Sequence, residues 1–309
     1  MSASAMDRRG LLITALTFVL WGVVPLYWHL LQAVPSFQIM AHRVIWSGLL
    51  VVVWLLLKDG LGWLRTIKAQ PRALPTLLFS GLAIAFNWGL YIWAVNAGHV
   101  VETSLGYFIN PLINVVMGVL ILHERLSRAQ WIAVAFALLG VSWLTWQAGS
   151  PPWIALGLAL SFATYGLLRK LVAVDAVAGL GVESLYLFVP ALAYLIWCEA
   201  GHGGGFLHQF SLAQDLLLIF GGVVTAIPLI GFAYGVKRIP LSVVGLLQYI
   251  APTIQLLIGV LVFKEPFGSE RMLGFAAIWV GLAIFASDSW LRSRRRQPVV
   301  AGSAGTAID

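Results

Sequence analysis

The sequence predicts an all-α polytopic membrane protein with ten transmembrane helices, arranged as two inverted five-helix repeats. Three observations support this fold class. Of the 309 residues, 60% are hydrophobic and only 10% are charged, whereas a soluble domain carries about 25% charged residues. Long apolar runs of membrane-spanning length alternate with short polar loops. A distinctive skeleton of proline, glycine and glutamate occurs twice in the chain.

The repeat is centred on two apolar segments. Gly106 to Glu124 reads GYFINPLINVVMGVLILHE, and Leu247 to Glu265 reads LQYIAPTIQLLIGVLVFKE. Matching residues are separated by a constant 141 positions without a gap, in the pairs Pro111 and Pro252, Gly118 and Gly259, Glu124 and Glu265, Gly81 and Gly222, and Gly140 and Gly281. Because internal repeats fix the architecture, this duplication predicts two structurally equivalent halves.

Ten apolar stretches of roughly 20 residues are long enough to cross the hydrocarbon core as helices. We expect them at about 10–31, 38–57, 74–96, 101–122, 130–147, 153–172, 180–199, 213–235, 241–263 and 271–290. The domain organisation is then a leader (1–10), a first repeat (11–147), a second repeat (153–290) and a basic, disordered tail (291–309).

The Lys and Arg residues predict the orientation. An even number of spans places both termini on one side, which receives 16 of the 19 basic residues, whereas the other side receives Lys264 and Arg271. The positive-inside rule therefore predicts cytoplasmic termini, and it explains the net charge of +7 without a nucleic-acid partner. Because each repeat has five spans, the second copy is inverted, which is typical of transporters.

A polar and small-residue stripe follows one face of the repeated helix. Its residues are Tyr107, Asn110, Asn114 and Gly118 in the first copy, and Gln248, Ala251, Gln255 and Gly259 in the second. Two interpretations stay open, namely a helix-packing surface and the lining of a solute path. Pro111 and Pro252 each free a backbone carbonyl, which predicts either a tolerated kink or a kink that lines the path.

Charged and aromatic side chains at membrane depth supply the other candidates. His42, Arg43 and Glu102 lie near the external ends of their spans. An intramembrane arginine costs about 2.5–3.5 kcal/mol unless it is paired, so a structural Arg43–Glu102 pair and an anion contact or gate are both open. Glu183 favours an interfacial pair with Arg169 or Lys170 over a proton relay.

Mid-span aromatic and amide residues predict a cavity for flat or cationic solutes. The candidates are Asn87, Trp88, Tyr91, Trp21 and Tyr165. Trp and Tyr also anchor helices at membrane interfaces, so only these central positions are assigned to the path.

The sequence lacks the motifs that are typical of several classes of activity. Cys198 is the single cysteine, and the histidines have no metal-ligand spacing, so we expect neither a disulfide within the chain nor a metal site. The sequence contains no GxxxxGK[ST] motif and no catalytic triad pattern. It predicts a protein that is not an enzyme and that has no cofactor.

Six segments resemble one known family: AHRVIWS (41–47), NWGLYIWAVN (87–96), ETSLGYFINPLINV (102–115), HERL (123–126), ALGLALSFATYGLLRK (155–170) and QYIAPT (248–253). The chain is similar from about Leu11 to Trp290 to RarD-type, chloramphenicol-sensitivity proteins, a branch of the drug/metabolite transporter superfamily with EamA repeats. The resemblance implies a multi-pass carrier of the bacterial inner membrane that moves small organic metabolites or drugs outward.

We therefore expect a secondary transporter whose partners are a small-molecule substrate and the lipid bilayer. A monomer is compatible with the sequence, which leaves the oligomeric state open. Two alternatives remain at this stage. A lipid-handling membrane enzyme should carry a charged catalytic cluster at an interface, and a membrane sensor or assembly protein would not need an inverted repeat with paired prolines.

Overall fold

The computed structural model describes residues 7–97, 99–148, 152–264 and 268–295, and in these ranges the chain is α-helical with short connections. The helices of the first half are α1 (Arg8–His29), α2 (Ser36–Asp59), α3 (Gly62–Lys68), α4 (Ala73–Asn96), α5 (Val100–Leu120) and α6 (Arg128–Ala148). Those of the second half are α7 (Trp153–Leu171), α8 (Ala176–Glu199), α9 (Leu212–Val236), α10 (Leu241–Gln248), α11 (Ile250–Leu261) and α12 (Ser269–Arg295).

Eight stretches in the described ranges are long and apolar enough to cross a membrane. They are Arg8–His29, Ser36–Asp59, Ala73–Ala94, Arg128–Gln147, Trp153–Leu171, Ala176–Glu199, Leu212–Val236 and Leu241–Leu261. Two further apolar helical stretches, Leu105–Leu120 and Met272–Asp288, are shorter than 18 residues. The structure is thus a multi-pass membrane fold, with helices at each of the ten predicted positions.

Two features differ from the sequence-based expectation. The ninth predicted span is divided at Tyr249 into α10 and α11, because Pro252 has no N–H with which to bond the carbonyl of Gln248. By contrast, Pro111 lies inside the unbroken helix α5. The predicted loop after α2 contains α3, which buries Trp63 and Ile67 on one face.

Different contacts between helices and loops mark the two ends of the bundle. At one end, which we call the terminal end, Asp7 forms a 3.7 Å ion pair with Arg238. At the other, the far end, the hydroxyl of Tyr27 donates to the carbonyl of Leu217 and Gln38 Nε2 donates to the carbonyl of Gly203 over 2.7 Å. Long apolar helices joined by short loops run alternately between these ends.

Glycines allow the closest helix approaches. A Cβ atom added to Gly140 of α6 would lie 2.5 Å from the carbonyl oxygen of Gly274 in α12, and one on Gly281 would lie 2.7 Å from the carbonyl oxygen of Ala133. Such contacts need residues without side chains, as is common between membrane helices. The repeated glycines Gly140 and Gly281 therefore serve the same antiparallel α6–α12 interface.

Candidate functional site

A cavity of about 220 Å³ lies in the middle of the bundle and extends into its far half. It is lined by α1, α2, α4, α5, α7, α9, α10 and α11. Its lining residues are Phe18, Trp21, Val24, Pro25, Trp28, Arg43, Asn87, Trp88, Tyr91, Thr103, Gly106, Tyr107, Asn110, Leu158, Phe162, Thr225, Leu229, Gln248, Ala251, Pro252 and Gln255. The wall combines aromatic rings with polar groups, so the cavity suits a small amphipathic solute.

Most of the path residues predicted from sequence lie on this wall. They are Trp21, Asn87, Trp88, Tyr91, Tyr107, Asn110, Gln248 and Gln255, together with Pro252 and Arg43 from the kink and charge candidates. The remaining candidates Asn114, Tyr165, Pro111, His42 and Glu183 are not among the lining residues. The side chain of Glu102, like Glu265 of the repeat, lies outside the described residues.

Arg43 is the charged residue of the described cavity wall. Its Nε donates a 2.9 Å hydrogen bond to Oγ1 of Thr225. Its Cζ lies 4.7 Å from the ring centroid of Trp28 and 4.8 Å from that of Trp88. These indole faces stabilise the cation, because the negative face of an aromatic ring attracts positive charge.

Trp28 and Thr225 were missed from the sequence. Thr225 is a buried polar residue inside the apolar helix α9, and that isolation was a usable signal. Trp28 gave no local signal, because a tryptophan near a helix end is typical of an interfacial anchor.

Two tyrosines line the wall on α4 and α5. Their ring centroids, those of Tyr91 and Tyr107, are 6.0 Å apart. Both keep over a third of their surface exposed, 37% and 42%, although they lie deep in the bundle, because they border the cavity. Their surface is therefore available to a solute.

The three amides from the first half differ in their bonding. Asn87 Nδ2 donates to the carbonyl of Leu158 at 2.8 Å and to Ser161 Oγ at 3.0 Å, which fastens α4 to α7. Asn110 borders the cavity, and its buried Oδ1 has no hydrogen-bond partner among the described residues. Asn114 is fully buried and donates a 2.7 Å bond from Nδ2 to Gln248 Oε1.

Gln255 compensates for a proline that the sequence analysis did not use. Pro25 lies inside α1 and leaves the carbonyl of Trp21 without its helical donor. Gln255 Nε2 donates to that carbonyl over 3.1 Å. A cavity-lining amide of the second half thus satisfies a freed backbone group of the first.

Tyr165 and His42 face away from the cavity. Tyr165 is buried against Phe232, with ring centroids 5.8 Å apart. His42 Nδ1 accepts a 3.2 Å bond from Trp46 Nε1, and its ring packs 4.6 Å from that of Phe206. The adjacent residues His42 and Arg43 therefore belong to different environments.

A buried ion pair lies between the cavity and the terminal end. Arg169 Nη1 is 3.4 Å from Glu183 Oε1, and both side chains are almost fully buried. Ser80 Oγ also donates to Glu183 Oε1, at 2.5 Å. The pairing partner of Glu183 is Arg169, as one predicted alternative had it, but the pair is buried and not interfacial.

The terminal end carries further bonds between the halves. Glu124 Oε1 accepts from the backbone N–H of Leu241 at 2.6 Å, and its Oε2 accepts from Ser242 N at 2.9 Å and Ser242 Oγ at 2.7 Å. Lys170 Nζ lies 3.9 Å from Glu124 Oε1. A carboxylate at the start of α10 is favourable because the helix N-terminus presents free N–H groups and positive partial charge.

Lys237, which follows α9, donates to the carbonyls of Val172 and Val174 at the same end. The pKa of Lys237 is lowered from 10.5 to about 8, mainly by burial and also by the nearby cation Arg169, against an opposing effect of Asp175. Among the described residues, no group of three His, Cys, Asp or Glu side chains could hold a metal ion.

The fold and this site define a class, the polytopic α-helical membrane proteins with a solute-sized cavity at the centre of the bundle. A model of the EamA-like transporter family matches residues 8–146 and again residues 151–287. The chain therefore belongs to the EamA-like transporter family, and its relatives identify it as a membrane transporter of the RarD type.

The relatives cover nearly the whole chain. Protein RarD of Streptomyces exfoliatus is 44% identical over 100% of this chain and 98% of its own length. An uncharacterized transporter of Bacillus subtilis, YojE, is 43% identical over 94% of this chain and 98% of its own. A chloramphenicol-sensitive protein RarD of Pseudomonas aeruginosa is 34% identical over 94% of this chain and 98% of its own length.

A solved crystal structure has the same fold. It covers 93% of this chain and 99% of its own chain with a TM-score of 0.70, at 22% sequence identity. At that identity the likeness concerns the arrangement of the helices alone.

Proposed function

We propose that the protein is a secondary carrier of the bacterial inner membrane that exports small organic metabolites or drugs by alternating access. It crosses the membrane ten times, with both termini in the cytoplasm. Residues 11–147 and 153–290 form two inverted five-helix repeats, and the solute path runs between them.

The observation that carries this proposal is the composition of the cavity wall. The wall combines helices of both halves and includes three sets of counterparts: α1 with α7, α4 with α9, and α5 with α10 and α11. Inverted repeats have two near-equivalent packings, one open to each side of the membrane. A cavity on the axis between them is the place where a bound solute would be exposed to either side.

Contacts between counterpart helices support the inverted arrangement. Ser127, directly before α6, donates from Oγ to Asp288 Oδ2 of α12 at 2.9 Å, and Trp143 Nε1 of α6 donates to the carbonyl of Glu270 in α12 at 2.8 Å. The residue number rises on one helix as it falls on the other, so the two helices are antiparallel. The double match of the family model independently supports the presence of two equivalent halves.

The same symmetry gives a role to the candidate residues that miss the cavity. Asn114 is the repeat counterpart of Gln255, which lines the wall now. The terminal half is closed by the Asn114–Gln248 bond, the Arg169–Glu183 pair and the Glu124 contacts. With cytoplasmic termini this is an outward-facing state, and rocking to the inward-facing state would expose Asn114 and Tyr165.

The proposal is tested with purified protein in proteoliposomes. Compounds that raise the thermal stability of the protein are selected first, and their exchange across the vesicle membrane is then measured. We expect exchange with the wild type and with the control Thr145→Leu, a polar-to-leucine change on α6, and loss of exchange with the double variant Asn114→Leu/Gln255→Leu. Normal exchange by a folded double variant would refute the path, and no exchange of any selected compound by the wild type would refute the carrier.

A further inference from the structure

We propose that Arg43 is an anion-binding residue and that the carried solute is a small planar organic acid with a hydrogen-bond donor at a second position. This inference rests on the proposed carrier function and names its substrate class. It follows from three features of the cavity, which are the bonding of the guanidinium, the charge of the wall and an unpartnered amide oxygen.

The guanidinium of Arg43 is held in place but incompletely bonded. Thr225 takes the hydrogen bond of Nε, and Trp28 and Trp88 lie against the cation. The two terminal nitrogens form no hydrogen bond or ion pair with a described residue. An arginine fixed in this way presents its remaining N–H groups as a preformed fork, which matches the two oxygens of a carboxylate or one edge of a phosphate.

The charge of the wall favours an anion. Arginine stays protonated in proteins, and the described residues that line the cavity include no Asp or Glu. The four hydroxyl and four amide residues of the wall supply dipoles but no negative charge. A cation inside a membrane protein is unfavourable without a counter-charge, and no described residue supplies one to Arg43, so a bound anionic group would stabilise it.

The rest of the wall specifies the body of the solute. Trp21, Phe162 and Trp88 offer flat apolar surfaces, which favour a planar ring. Asn110 Oδ1 is buried at the wall and lacks a donor among the described residues, and buried acceptors are normally satisfied. A hydroxyl or amino group on the solute would supply that donor. The volume of about 220 Å³ is below the about 300–1,000 Å³ of drug-sized pockets, so the solute is small.

The test compares acids with their neutral amides on the purified full-length protein. The probes are 4-hydroxybenzoate, anthranilate and indole-3-acetate, each paired with its carboxamide, and binding is measured by calorimetry and thermal stabilisation. We expect at least one acid to bind about tenfold or more tightly than its amide, because charge-assisted hydrogen bonds are the stronger ones. The preference should vanish in Arg43→Gln, partly return in Arg43→Lys, and be unchanged in Arg65→Gln, where an exposed arginine on α3 is removed.

The outcomes separate this inference from the carrier function. Equal binding of every acid and its amide by the wild type overturns the inference even where Arg43→Gln does not fold. The inference is also overturned if the wild type and Arg43→Gln both exchange a neutral or cationic compound in proteoliposomes. That result would leave the carrier function intact. Failure of the wild type to exchange any compound that it binds would instead refute the carrier function.

Discussion

The side-chain amide of Asn114 in α5 donates a 2.7 Å hydrogen bond to Oε1 of Gln248 at the end of α10. Asn114 is fully buried and Gln248 borders the cavity. The bond therefore joins the two halves of the chain directly beneath the cavity, on the side of the terminal end. Its removal should lower stability and, in the proposed alternating-access cycle, shift the balance between the outward-facing and inward-facing states.

We expect Asn114→Ala and Gln248→Ala to be coupled. Interhelical hydrogen bonds in membrane proteins contribute about 0.6–1.7 kcal/mol, so the double variant should lose that much less stability than the two single variants together. The measurement is a double-mutant cycle on the free energy of unfolding in detergent. Strict additivity would show that the two amides do not interact.

Glu124 caps the start of α10 through Leu241 and Ser242. Glu124→Ala leaves two backbone N–H groups without their acceptor, so we expect the free energy of unfolding to fall by about 1–2 kcal/mol. Ser242→Ala is the matched control, because it removes only the hydroxyl bond and keeps both backbone bonds. Equal losses in the two variants would contradict the capping role.

The buried pair of Arg169 and Glu183 should be costly to break from one side. Glu183→Gln keeps the shape and the bond from Ser80 but leaves Arg169 charged and unneutralised, and we expect a loss of about 3–5 kcal/mol. The double variant Arg169→Met/Glu183→Leu removes both charges and should lie closer to the wild type. A double variant less stable than Glu183→Gln would show that the ion pair itself stabilises the fold.

The lowered pKa of Lys237 predicts the direction in which the free energy of unfolding changes with pH. Its pKa falls from 10.5 in the unfolded chain to about 8 in the folded protein. Between these values the unfolded chain holds a proton that the folded protein has released, so the contribution of Lys237 to the free energy of unfolding rises with pH from about 8 to 10.5. Unfolding midpoints of Lys237→Met should rise less over this window than those of the wild type or the exposed control Lys58→Met. Identical pH profiles would contradict the lowered pKa.

The proposed topology predicts the sidedness of two exposed positions. His202 lies between α8 and α9 at the far end, and Lys68 ends α3 near the terminal end. In a Cys198→Ser background, a membrane-impermeant maleimide should label His202→Cys in intact cells and Lys68→Cys only after permeabilisation. Labelling of both positions from outside would contradict the inverted arrangement.

Much of the fold was predictable because it depends on local properties of the chain. Hydrophobicity and length gave helices at the ten expected positions, and the paired glycines marked real close approaches such as those of Gly140 and Gly281. The break at Tyr249 followed from Pro252, yet Pro111 is accommodated within a continuous helix. The same residue type thus had different effects in the two repeats, so the presence of a proline alone did not predict where a helix is interrupted.

The site was predictable as a set of residues but not as an arrangement. Asn110 and Asn114 share one helical stripe, and only Asn110 reaches the cavity, while Asn114 bonds to Gln248. A polar stripe on one helix extends beyond the part of the helix that borders the cavity. The rotation of the neighbouring helix determines which residues of the stripe are covered.

By itself the sequence determined the membrane class, the duplication and the family, since apolar periodicity and repeated spacing are properties of the chain alone. Only the tertiary structure decided that Arg43 meets both Thr225, 182 residues away on α9, and Trp28 of the preceding helix α1. Their meeting depends on how α1, α2 and α9 cross. Those crossings are set by packing over the whole bundle and leave no pattern in any single segment.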